Sequence, residues 1–366
     1  MIMNPDSKIY IAGHRGLVGS AIWKQLESKG YKNLIGRSSS ELDLTDAVAT
    51  EKFFEQEQPE FVFLAAAHVG GIMANNTYRA DFIYKNLQIQ QNVIYNAYKY
   101  NAKKLLFLGS TCIYPKEAVQ PIKEDELLTN VLEYTNEPYA IAKIAGIKLC
   151  ESFNIQYGTN FISLMPTNLY GPNDNFDLEK SHVLPAMIRK IYLSKCLMEN
   201  DWEALKNDLN KRPVESISGS NSNDEIEVVL NKYGIFSDRV ELWGTGKPMR
   251  EFLWSEDMAD ACVFVMEKVD FKDVSKDMKE IRNTHINIGT GRDITIKDLS
   301  ELIARTIGYE GKIAFDAAKP DGTMRKLVDV SKINSLGWKH QIEIEEGVQR
   351  MYDWYLNNAE KSGGIL

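Results

Sequence analysis

Short, almost continuously apolar runs alternate with amphipathic stretches through the first half of the chain. The apolar runs predict buried strands at residues 8–12, 61–66, 104–109 and 160–165. The helical spacing of apolar positions between them predicts helices at residues 17–29, 80–100 and 139–157. Strands that are apolar throughout are typical of parallel sheets covered on both faces. We therefore expect an α/β fold built on a doubly wound parallel sheet of the Rossmann type.

The pattern loosens after Pro166, where turn-forming residues become frequent. A strand is predicted at residues 240–243, and helices are predicted at residues 182–193, 256–268, 296–307 and 351–358. Residues 196–236 are polar and charged, and we interpret them as a surface insertion of the kind that can be mobile. We expect a Rossmann domain over residues 1–165 and a smaller α/β substrate-binding lobe over residues 166–366, part of which crosses back to the first domain.

Length and charge exclude several classes of protein. With 366 residues the chain is long enough for two domains. Its 43 Lys and Arg against 51 Asp and Glu give a net charge of −8, which argues against a general binder of nucleic acid or of anionic membranes. The longest apolar stretch, at residues 61–67, is far shorter than the ~20 residues that span a bilayer, and the first residues lack a signal-peptide core. Four cysteines without a CxxC motif favour a reducing cytoplasm, and no spacing indicates a metal site.

A glycine-rich loop separates the first predicted strand from the first predicted helix. Gly13, Gly16 and Gly19 supply the sharp turn and the close backbone approach that a phosphate group needs. The helix that follows offers its N–H groups and a partial positive charge to a pyrophosphate. The GxxGxxG spacing differs from the general GxGxxG pattern, but its position after the opening strand indicates a dinucleotide site.

The choice between NAD and NADP depends on the residues after the second predicted strand, which ends near residues 34–37. A carboxylate at that point holds the ribose diol of NAD, whereas this chain has Arg37 followed by two serines. A guanidinium suits a 2′-phosphate, and Arg15 in the loop offers a second cation. The sequence therefore favours NADP. Glu41 and Asp43 lie close by in the sequence, and Asp43 is an alternative contact for the adenine amino group.

Tyr139 and Lys143 lie one helical turn apart on the same face of a predicted helix. A neighbouring ammonium lowers the pKa of a phenol, so Tyr139 is a candidate proton donor to a carbonyl oxygen, and Lys143 can also reach a ribose hydroxyl. Ser110 follows the carboxyl end of a predicted strand, where open α/β sheets bind ligands. The same spacing occurs twice more, and we interpret both instances as solvated helix ends: Tyr95/Lys99 and Tyr100/Lys104.

The glycine loop, Ser110, Tyr139 and Lys143 carry a resemblance that extends over most of the chain. The chain resembles the extended short-chain dehydrogenase/reductase superfamily of nucleotide-sugar enzymes. Within that superfamily it is similar to the NADPH-dependent 3,5-epimerase/4-reductases that convert GDP-4-dehydro-6-deoxy-D-mannose to GDP-L-fucose. The further motifs that carry this similarity lie at residues 65–67, 109–115, 165–172, 181–185, 243–253 and 319–323. The similarity does not extend over residues 196–236.

This resemblance implies one pocket that serves both epimerisation and reduction. Its implied catalytic residues are Ser110, Cys112, Tyr139, Lys143 and His182. Because a C4 ketone acidifies C3 and C5, Cys112 would act as base on one face of the sugar and His182 as acid on the other. Tyr139 and Ser110 would donate hydrogen bonds to O4, and Tyr139 would give its proton when NADPH delivers hydride.

The same resemblance implies two sets of ligand contacts. For the cofactor they are Gly13, Arg15, Gly16, Leu17, Val18, Gly19, Arg37, Asp43, Ala65, Ala66, Asn86, Leu108, Lys143, Pro166, Asn168, Leu169 and His182. For the sugar nucleotide they are Asn168, Lys190, Trp243, Arg250 and Asp321. Arg250 and Lys190 are cations suited to the pyrophosphate, with Arg189 as the alternative to Lys190.

Two other functions compete with this interpretation. One is another nucleotide-sugar enzyme of the same fold, a 4-epimerase or a 4,6-dehydratase, against which Arg37 and Cys112 argue. The other is a non-catalytic, NADP-binding regulatory protein, which would tolerate the loss of residues that are all present here. Analogy with the superfamily also predicts a homodimer formed through the helices at residues 80–100 and 139–157.

Overall fold

The computed structural model describes residues 3–276, 278–319 and 321–357. These residues form two units. The first is drawn from residues 1–169, 251–292 and 327–342, and the second from residues 170–250, 293–326 and 343–366. Pro320 of the 319–323 motif and Asn358 of the predicted final helix lie outside the described residues.

Strands and helices follow one another along the whole described chain. The strands are β1 (Ile9–Ala12), β2 (Leu34–Ile35), β3 (Phe61–Leu64), β4 (Lys104–Leu108), β5 (Phe161–Pro166), β6 (Asn168–Tyr170), β7 (Arg239–Trp243), β8 (Met249–Trp254), β9 (Ile286–Ile288), β10 (Asp293–Thr295), β11 (Lys312–Asp316) and β12 (Arg325–Lys326). The helices are α1 (Leu17–Ser28), α2 (Ala47–Glu57), α3 (Ile72–Thr77), α4 (Arg79–Lys99), α5 (Glu137–Tyr157), α6 (Val183–Met198), α7 (Trp202–Lys211), α8 (Asn223–Lys232), α9 (Ser255–Lys268), α10 (Phe271–Ser275), α11 (Ile296–Ile307), α12 (Ser331–Ser335) and α13 (Ile344–Asn357). Short 3₁₀ turns lie at Thr111–Ile113 and Glu124–Glu126.

The first unit contains a six-stranded parallel sheet in the order β2-β1-β3-β4-β5-β9. Ile9 of β1 pairs with Leu34 on one side and with Phe61 on the other. The direction in which strands are added therefore reverses between β2 and β3. In open α/β sheets this switch point forms a ligand crevice outside the carboxyl ends of the strands. The prediction of a doubly wound parallel sheet is confirmed.

Successive side chains of the sheet point into two separate apolar cores. Ile9 and Ile11 of β1 belong to a core that includes residues of α1 and α9. Tyr10 of the same strand and Val62 of β3 belong to a core that includes residues of α2, α4 and α5. All four side chains are at most 1% exposed. Burial on both faces explains why these strands have no polar alternation in the sequence.

The second unit contains shorter parallel pairs. Val240 of β7 pairs with Ile313 of β11, and Arg325 of β12 pairs with Met249 at the start of β8. In α11 the apolar positions recur with helical spacing, so that one face of the helix is buried. None of the helices in the described part of the chain combines the length and the apolar character needed to cross a membrane.

Residues 196–236 are folded into the second unit, which corrects their interpretation as a mobile surface insertion. They contain α7 and α8, whose inward faces join residues of α6 in an apolar core. Leu205 and Leu209 of α7 are fully buried there, as are Ile226 and Leu230 of α8. Each pair is separated by four positions and so lies on one helical face. The many polar residues between these positions concealed the amphipathic pattern in the sequence.

Candidate active site

The glycine loop packs closely against the segment that follows β3. Gly13 has a φ of +83°, and a Cβ at this position would lie 2.9 Å from the Ala66 nitrogen. A Cβ on Gly19 would lie 2.0 Å from the Gly13 oxygen. Ala65 is held beside the loop because its N–H donates to the Ala12 oxygen at 3.0 Å. Glycine is therefore required at both positions for the turn and for the close approach of helix and loop.

α1 presents its N-terminus to this crevice. Gly16 is the N-cap residue and has no side chain with which to bind the first N–H groups of the helix. Those groups and the helix dipole suit a pyrophosphate. Leu17 and Val18 begin the helix, and Val18 packs against the core below the sheet. Together with the close-packed glycines, this arrangement fits the diphosphate of a dinucleotide.

Two of the three predicted contacts for the adenosine end of the cofactor, Arg37 and Asp43, are already engaged with other groups. Arg37 Nη2 donates to Glu57 Oε1 at 2.8 Å. Asp43 Oδ1 accepts hydrogen bonds from the N–H and the hydroxyl of Thr45 at 2.9 and 2.7 Å. Arg15 is exposed to solvent. A 2′-phosphate would therefore meet Arg15 directly, whereas Arg37 is paired with a carboxylate.

Ser110 and Cys112 lie on a short turn at the carboxyl end of β4. Ser110 is the N-cap of the 3₁₀ turn, and its Oγ accepts a hydrogen bond from the Cys112 N–H at 3.3 Å. Cys112 is buried as a thiol, as are the other three cysteines. Burial raises the pKa of Cys150 and of Cys196 to about 12, which suits inert structural thiols. The turn therefore places a hydroxyl and a thiol side by side at the ligand edge of the sheet.

α5 packs against this turn and carries Tyr139 and Lys143. The Lys143 side chain is buried, and its Nζ donates to the Leu108 oxygen at 2.7 Å. The same Nζ lies 4.9 Å from the centroid of the Phe107 ring and 5.7 Å from that of Tyr139. Burial lowers the pKa of Lys143 to about 8. The first unit thus gathers a hydroxyl, a thiol, a phenol and an ammonium at one end of β4.

The expectation of a lowered pKa for Tyr139 is wrong for this structure, because burial outweighs the effect of the nearby Lys143 ammonium. Burial raises the pKa of the phenol well above its ordinary value, and the charge of the nearby Cys112 thiolate would raise it further. Lys143 directs its ammonium at the Leu108 carbonyl. Tyr139 is therefore protonated at neutral pH, the form that a proton donor needs.

Asn86 supports the loop that follows β3. Its Oδ1 accepts a hydrogen bond from the His68 N–H at 3.0 Å, and its Nδ2 donates to the oxygens of His68 and Phe82 at 2.9 and 2.7 Å. The side chain is only 2% exposed. Asn86 therefore shapes the loop of the crevice through hydrogen bonds to the backbone.

Four other predicted contacts lie at the carboxyl ends of neighbouring strands. Leu108 ends β4 and Pro166 ends β5. Leu169 packs against the core of the first unit, and the exposed Asn168 donates from Nδ2 to the Glu251 oxygen at 2.8 Å. The positions match the ligand edge of a parallel sheet.

In the second unit, His182 is the N-cap residue of α6. Its imidazole is exposed, and partial desolvation by the surrounding protein lowers its pKa. At pH 7 the lowered pKa favours the neutral imidazole, which can give up a proton from one ring nitrogen as its other nitrogen takes one up. His182 therefore stays a candidate for proton transfer.

Burial decides between Arg189 and Lys190 as a phosphate ligand. Arg189 is fully buried, and its guanidinium donates to Asp208 Oδ2 at 2.9 Å and to the Phe176 oxygen at 3.2 Å. It is committed to an internal ion pair. Lys190 is half-buried, and burial lowers its pKa to about 8, so that it still carries its charge at neutral pH. Lys190 is the candidate that remains.

Asp321 and Arg250 are held by hydrogen bonds within the second unit. Asp321 Oδ1 accepts from the Thr245 N–H at 2.8 Å, and Oδ2 accepts from the Thr245 hydroxyl at 2.7 Å. Arg250 Nη1 donates to the Thr323 oxygen at 2.5 Å. The hydrogen bonds fix the direction of both side chains. Asp321 therefore acts at least in part by ordering the backbone around it.

Trp243 is 63% exposed, which rules out a core role for this aromatic ring.

Three residues that shape the site were missed by the sequence analysis: Glu57, Phe107 and Thr245. Glu57 contacts Arg37 from 20 positions away, and Thr245 contacts Asp321 from 76 positions away. Only the tertiary fold brings such pairs together, so no local spacing in the sequence indicates them.

The comparisons with known proteins agree with this geometry. The chain matches the model of the NAD dependent epimerase/dehydratase family at residues 9–213 and 225–289. GDP-L-fucose synthase 1 of Arabidopsis thaliana is 49% identical over 354 residues, which cover 97% of this chain and 94% of the relative. The family match includes the glycine loop and the segment from Ser110 to Lys143.

Two solved structures from Campylobacter jejuni are similar over almost their whole length. A GDP-6-OMe-4-keto-L-xylo-heptose reductase is 48% identical with a TM-score of 0.91, covering 97% of this chain and 99% of that one. A GDP-mannoheptose C4 reductase with NADP bound is 45% identical with a TM-score of 0.85, covering 96% and 99%. The chain therefore belongs to the NAD dependent epimerase/dehydratase family and, within it, to the group of GDP-L-fucose synthases and GDP-sugar reductases.

Proposed function

We propose that this chain is an NADPH-dependent GDP-L-fucose synthase, which epimerises C3 and C5 of GDP-4-dehydro-6-deoxy-D-mannose and then reduces C4. The observation that carries the proposal is the set of Ser110, Cys112, Tyr139 and Lys143 at the end of β4, in a unit whose glycine loop fits a dinucleotide. The 49% identity to the Arabidopsis GDP-L-fucose synthase supports the substrate. The NADP in the 45% identical reductase supports the cofactor.

Epimerisation requires removal of a proton from the carbon next to the C4 ketone. The resulting carbanion is delocalised onto O4, where the protonated Tyr139 and the Ser110 hydroxyl can donate hydrogen bonds to the growing negative charge. Cys112, as thiolate, takes the proton from one face of the sugar, and His182 returns a proton to the other face. The Cys112 thiol then releases its proton to water and the His182 ring takes one up, so that the same exchange can follow at the second carbon and both centres are inverted.

Reduction uses the same ketone and the same phenol. Bound NADPH supplies the hydride that C4 accepts. Tyr139 gives its phenolic proton to O4, and Lys143, with a pKa of about 8, is charged at neutral pH and stabilises the phenolate that remains. Gly13, Gly16 and Gly19 would hold the diphosphate of the cofactor.

Incubation with GDP-4-dehydro-6-deoxy-D-mannose and NADPH in heavy water tests both steps together. We expect one NADPH to be oxidised per sugar, followed by absorbance, and deuterium to appear at C3 and C5 of the product, read by NMR. A chain that binds NADP⁺ but oxidises no NADPH with this sugar would contradict the proposal and favour a regulatory protein.

Cys112→Ser tests the role of the thiol. Because a hydroxyl is a far weaker base than a thiolate, we expect C3 and C5 exchange to fall by about 10²-fold or more, while NADPH affinity stays the same. Cys150→Ala, which removes a buried thiol from the core below α5, is the matched control. Unchanged deuterium incorporation in Cys112→Ser would exclude Cys112 as the base.

Reduction of a GDP-4-keto-heptose is a second candidate function. The specific observation in its favour is that the relatives at 48% and 45% identity are named as heptose reductases. Such a reaction needs Ser110, Tyr139 and Lys143 but no proton exchange at C3 or C5. A higher kcat/KM for the 4-keto-heptose than for the 4-keto-hexose, without deuterium exchange, would favour this candidate.

A homodimer in the cytoplasm is also part of the proposal. α4 and α5 pack against each other and leave large apolar side chains exposed, among them Tyr84, Tyr95, Ile141 and Ile155. Exposed apolar side chains on adjoining helices are typical of an interface. Size-exclusion chromatography with light scattering should give twice the mass of one chain, and a monomer mass would contradict the dimer.

Four buried thiols support a reducing compartment.

A further inference from the structure

The Arg37 guanidinium is engaged by a carboxylate before any nucleotide is bound. Arg37 follows β2, whose carboxyl end lies at the edge of the sheet at which the nucleotide is expected to bind. Its guanidinium donates to Glu57, which ends α2 shortly before β3 begins. The head group of Arg37 is therefore held at the last residue of α2.

Lys8 confirms where the Glu57 carboxylate lies. Lys8 immediately precedes β1, and its Nζ lies 2.9 Å from Glu57 Oε2, while Arg37 Nη2 lies 2.8 Å from Oε1. One carboxylate is thus shared between two cations. The side chains of Lys8, Glu57 and Arg37 are 32%, 27% and 38% exposed. Ion pairs with this degree of exposure set a preferred position but can exchange partners.

An aromatic ring stabilises the same resting position. Arg37 Cζ lies 5.7 Å from the centroid of the Phe53 ring. Phe53 precedes Glu57 by one helical turn on α2, so the ring and the carboxylate act on the guanidinium from the same helix face. The Glu57 carboxylate therefore already uses donors and charge of Arg37 that would otherwise serve a 2′-phosphate.

We propose that Glu57 is a positioning residue that sets the preference for NADPH over NADH, because it competes with the 2′-phosphate for Arg37. The inference rests on the proposed function, since it assumes that the crevice beside β1 and β3 binds NADPH. While Glu57 holds Arg37, a 2′-phosphate has Arg15 as its main cation, so the advantage of NADPH over NADH is smaller. The apparent affinity for NADPH therefore scales with the fraction of molecules in which Arg37 is released.

Calorimetric titration of the full chain with NADP⁺ and with NAD⁺ tests this competition. Glu57→Gln keeps the shape and removes the charge, so it should tighten NADP⁺ binding about two- to fivefold and leave NAD⁺ binding unchanged. Lys8→Met removes the second cation beside Glu57, so that the Glu57 carboxylate binds Arg37 alone. This variant should weaken NADP⁺ binding by a similar factor. Glu55→Gln, an exposed position on the same helix, is the matched control with wild-type affinities.

Glu57→Gln and Lys8→Met should shift the NADP⁺ affinity in opposite directions. A loss of structure would instead weaken the binding of both NADP⁺ and NAD⁺. If wild type binds NADP⁺ and Glu57→Gln leaves the ratio of the two affinities unchanged or lowers it, this inference is overturned while the proposed function stands. If wild type binds neither nucleotide, the proposed function is overturned as well. Should Glu57→Gln not fold, an unchanged NADP⁺ affinity in Lys8→Met overturns the inference by itself.

Discussion

Tyr139 and Lys143 show how burial assigns roles to two titratable side chains. Burial raises the pKa of the Tyr139 phenol and lowers that of the Lys143 ammonium to about 8. The phenol therefore keeps its proton at neutral pH, and Lys143 is a cation up to about pH 8. Their pairing favours transfer of the phenolic proton to a developing alkoxide over loss of that proton to water.

Tyr139→Phe removes the proton donor and little else. The ring lies in the T-shaped contact with Phe82 at 6.3 Å, which phenylalanine preserves. We expect the rate of C4 reduction to fall by about 10²–10⁴-fold, with the NADPH dissociation constant unchanged. Stopped-flow oxidation of NADPH gives the rate and fluorescence titration gives the affinity. Turnover close to that of wild type would show that another group protonates O4.

Asp174 is a buried carboxyl group that the proposed mechanism does not use. Its Oδ1 accepts a hydrogen bond from the Asn175 N–H at 2.8 Å, whereas burial raises the pKa of the group to about 7. The folded state therefore keeps a proton that the unfolded chain releases near pH 4. This difference makes the free energy of unfolding decrease as the pH rises from about 4 to 7.

Asp174→Asn should remove that pH dependence. At pH 8 we expect the variant to gain about 2–4 kcal/mol in free energy of unfolding, whereas at pH 4 the two proteins should be nearly equal. Urea unfolding at a series of pH values measures the difference. Asp177→Asn, at a partly exposed position of the same segment, is the control. Equal gains at pH 4 and pH 8 would show that packing, not protonation, causes the effect.

Elements that depend on a local sequence pattern could be predicted, whereas features that depend on contacts between distant residues could not. The central strands β3 and β4 were found within two residues, since their buried faces leave continuous apolar runs. The pair Tyr139 and Lys143 was found because its spacing is local. The interpretation of Lys104 as part of a solvated helix end is wrong: Lys104 begins β4 and is only 2% exposed. Its partners are more than 160 positions away, so the sequence gives no sign of them.

Lys104 joins the central sheet to the C-terminal end of α9. Its Nζ donates to the oxygens of Val265, Met266 and Val269 at 2.8, 2.8 and 2.6 Å. Burial lowers the pKa of Lys104 to about 8, so the ammonium is charged at neutral pH. A cation at this end of a helix satisfies its last carbonyl groups and opposes its dipole.

Lys104→Met should therefore destabilise the first unit. Methionine fills the volume but leaves three buried carbonyl groups without this donor, and we expect a loss of about 2–4 kcal/mol at pH 7. The neighbouring Lys103→Met removes only a surface pair with Glu60 and should cost less than about 1 kcal/mol. Chemical unfolding followed by circular dichroism compares the two variants. Similar losses in both would contradict the capping role of Lys104.

At the scale of the whole molecule, the second unit was harder to predict than the first. Five strands of the first unit's sheet, β1 to β5, follow one another along the chain and β9 comes later, whereas the second unit depends on a buried charge cluster assembled from distant parts of the chain. Asp208 accepts from Arg189 Nε at 2.9 Å, from Arg212 Nη1 at 3.1 Å and from the Tyr355 hydroxyl at 2.6 Å. Tyr355 lies 147 positions from Asp208 in the sequence. The average polarity of residues 196–236 indicated a surface segment. Composition alone does not show that some of these charges are paired in the interior of the second unit.

Asp208→Asn tests whether this cluster holds the second unit together. An amide keeps the size of the side chain but leaves the buried Arg189 guanidinium without a counter-charge, so we expect a loss of about 3–5 kcal/mol. Asp201 is the N-cap residue of α7, a position at which Asp and Asn cap equally well, so Asp201→Asn should leave the free energy of unfolding nearly unchanged. Differential scanning calorimetry should show a lower transition temperature for Asp208→Asn alone. NADP⁺ affinity should survive where the protein is still folded, because the glycine loop lies in the first unit. An unfolding midpoint equal to that of wild type would mean that the apolar core of α7 and α8 is sufficient without the ion pair.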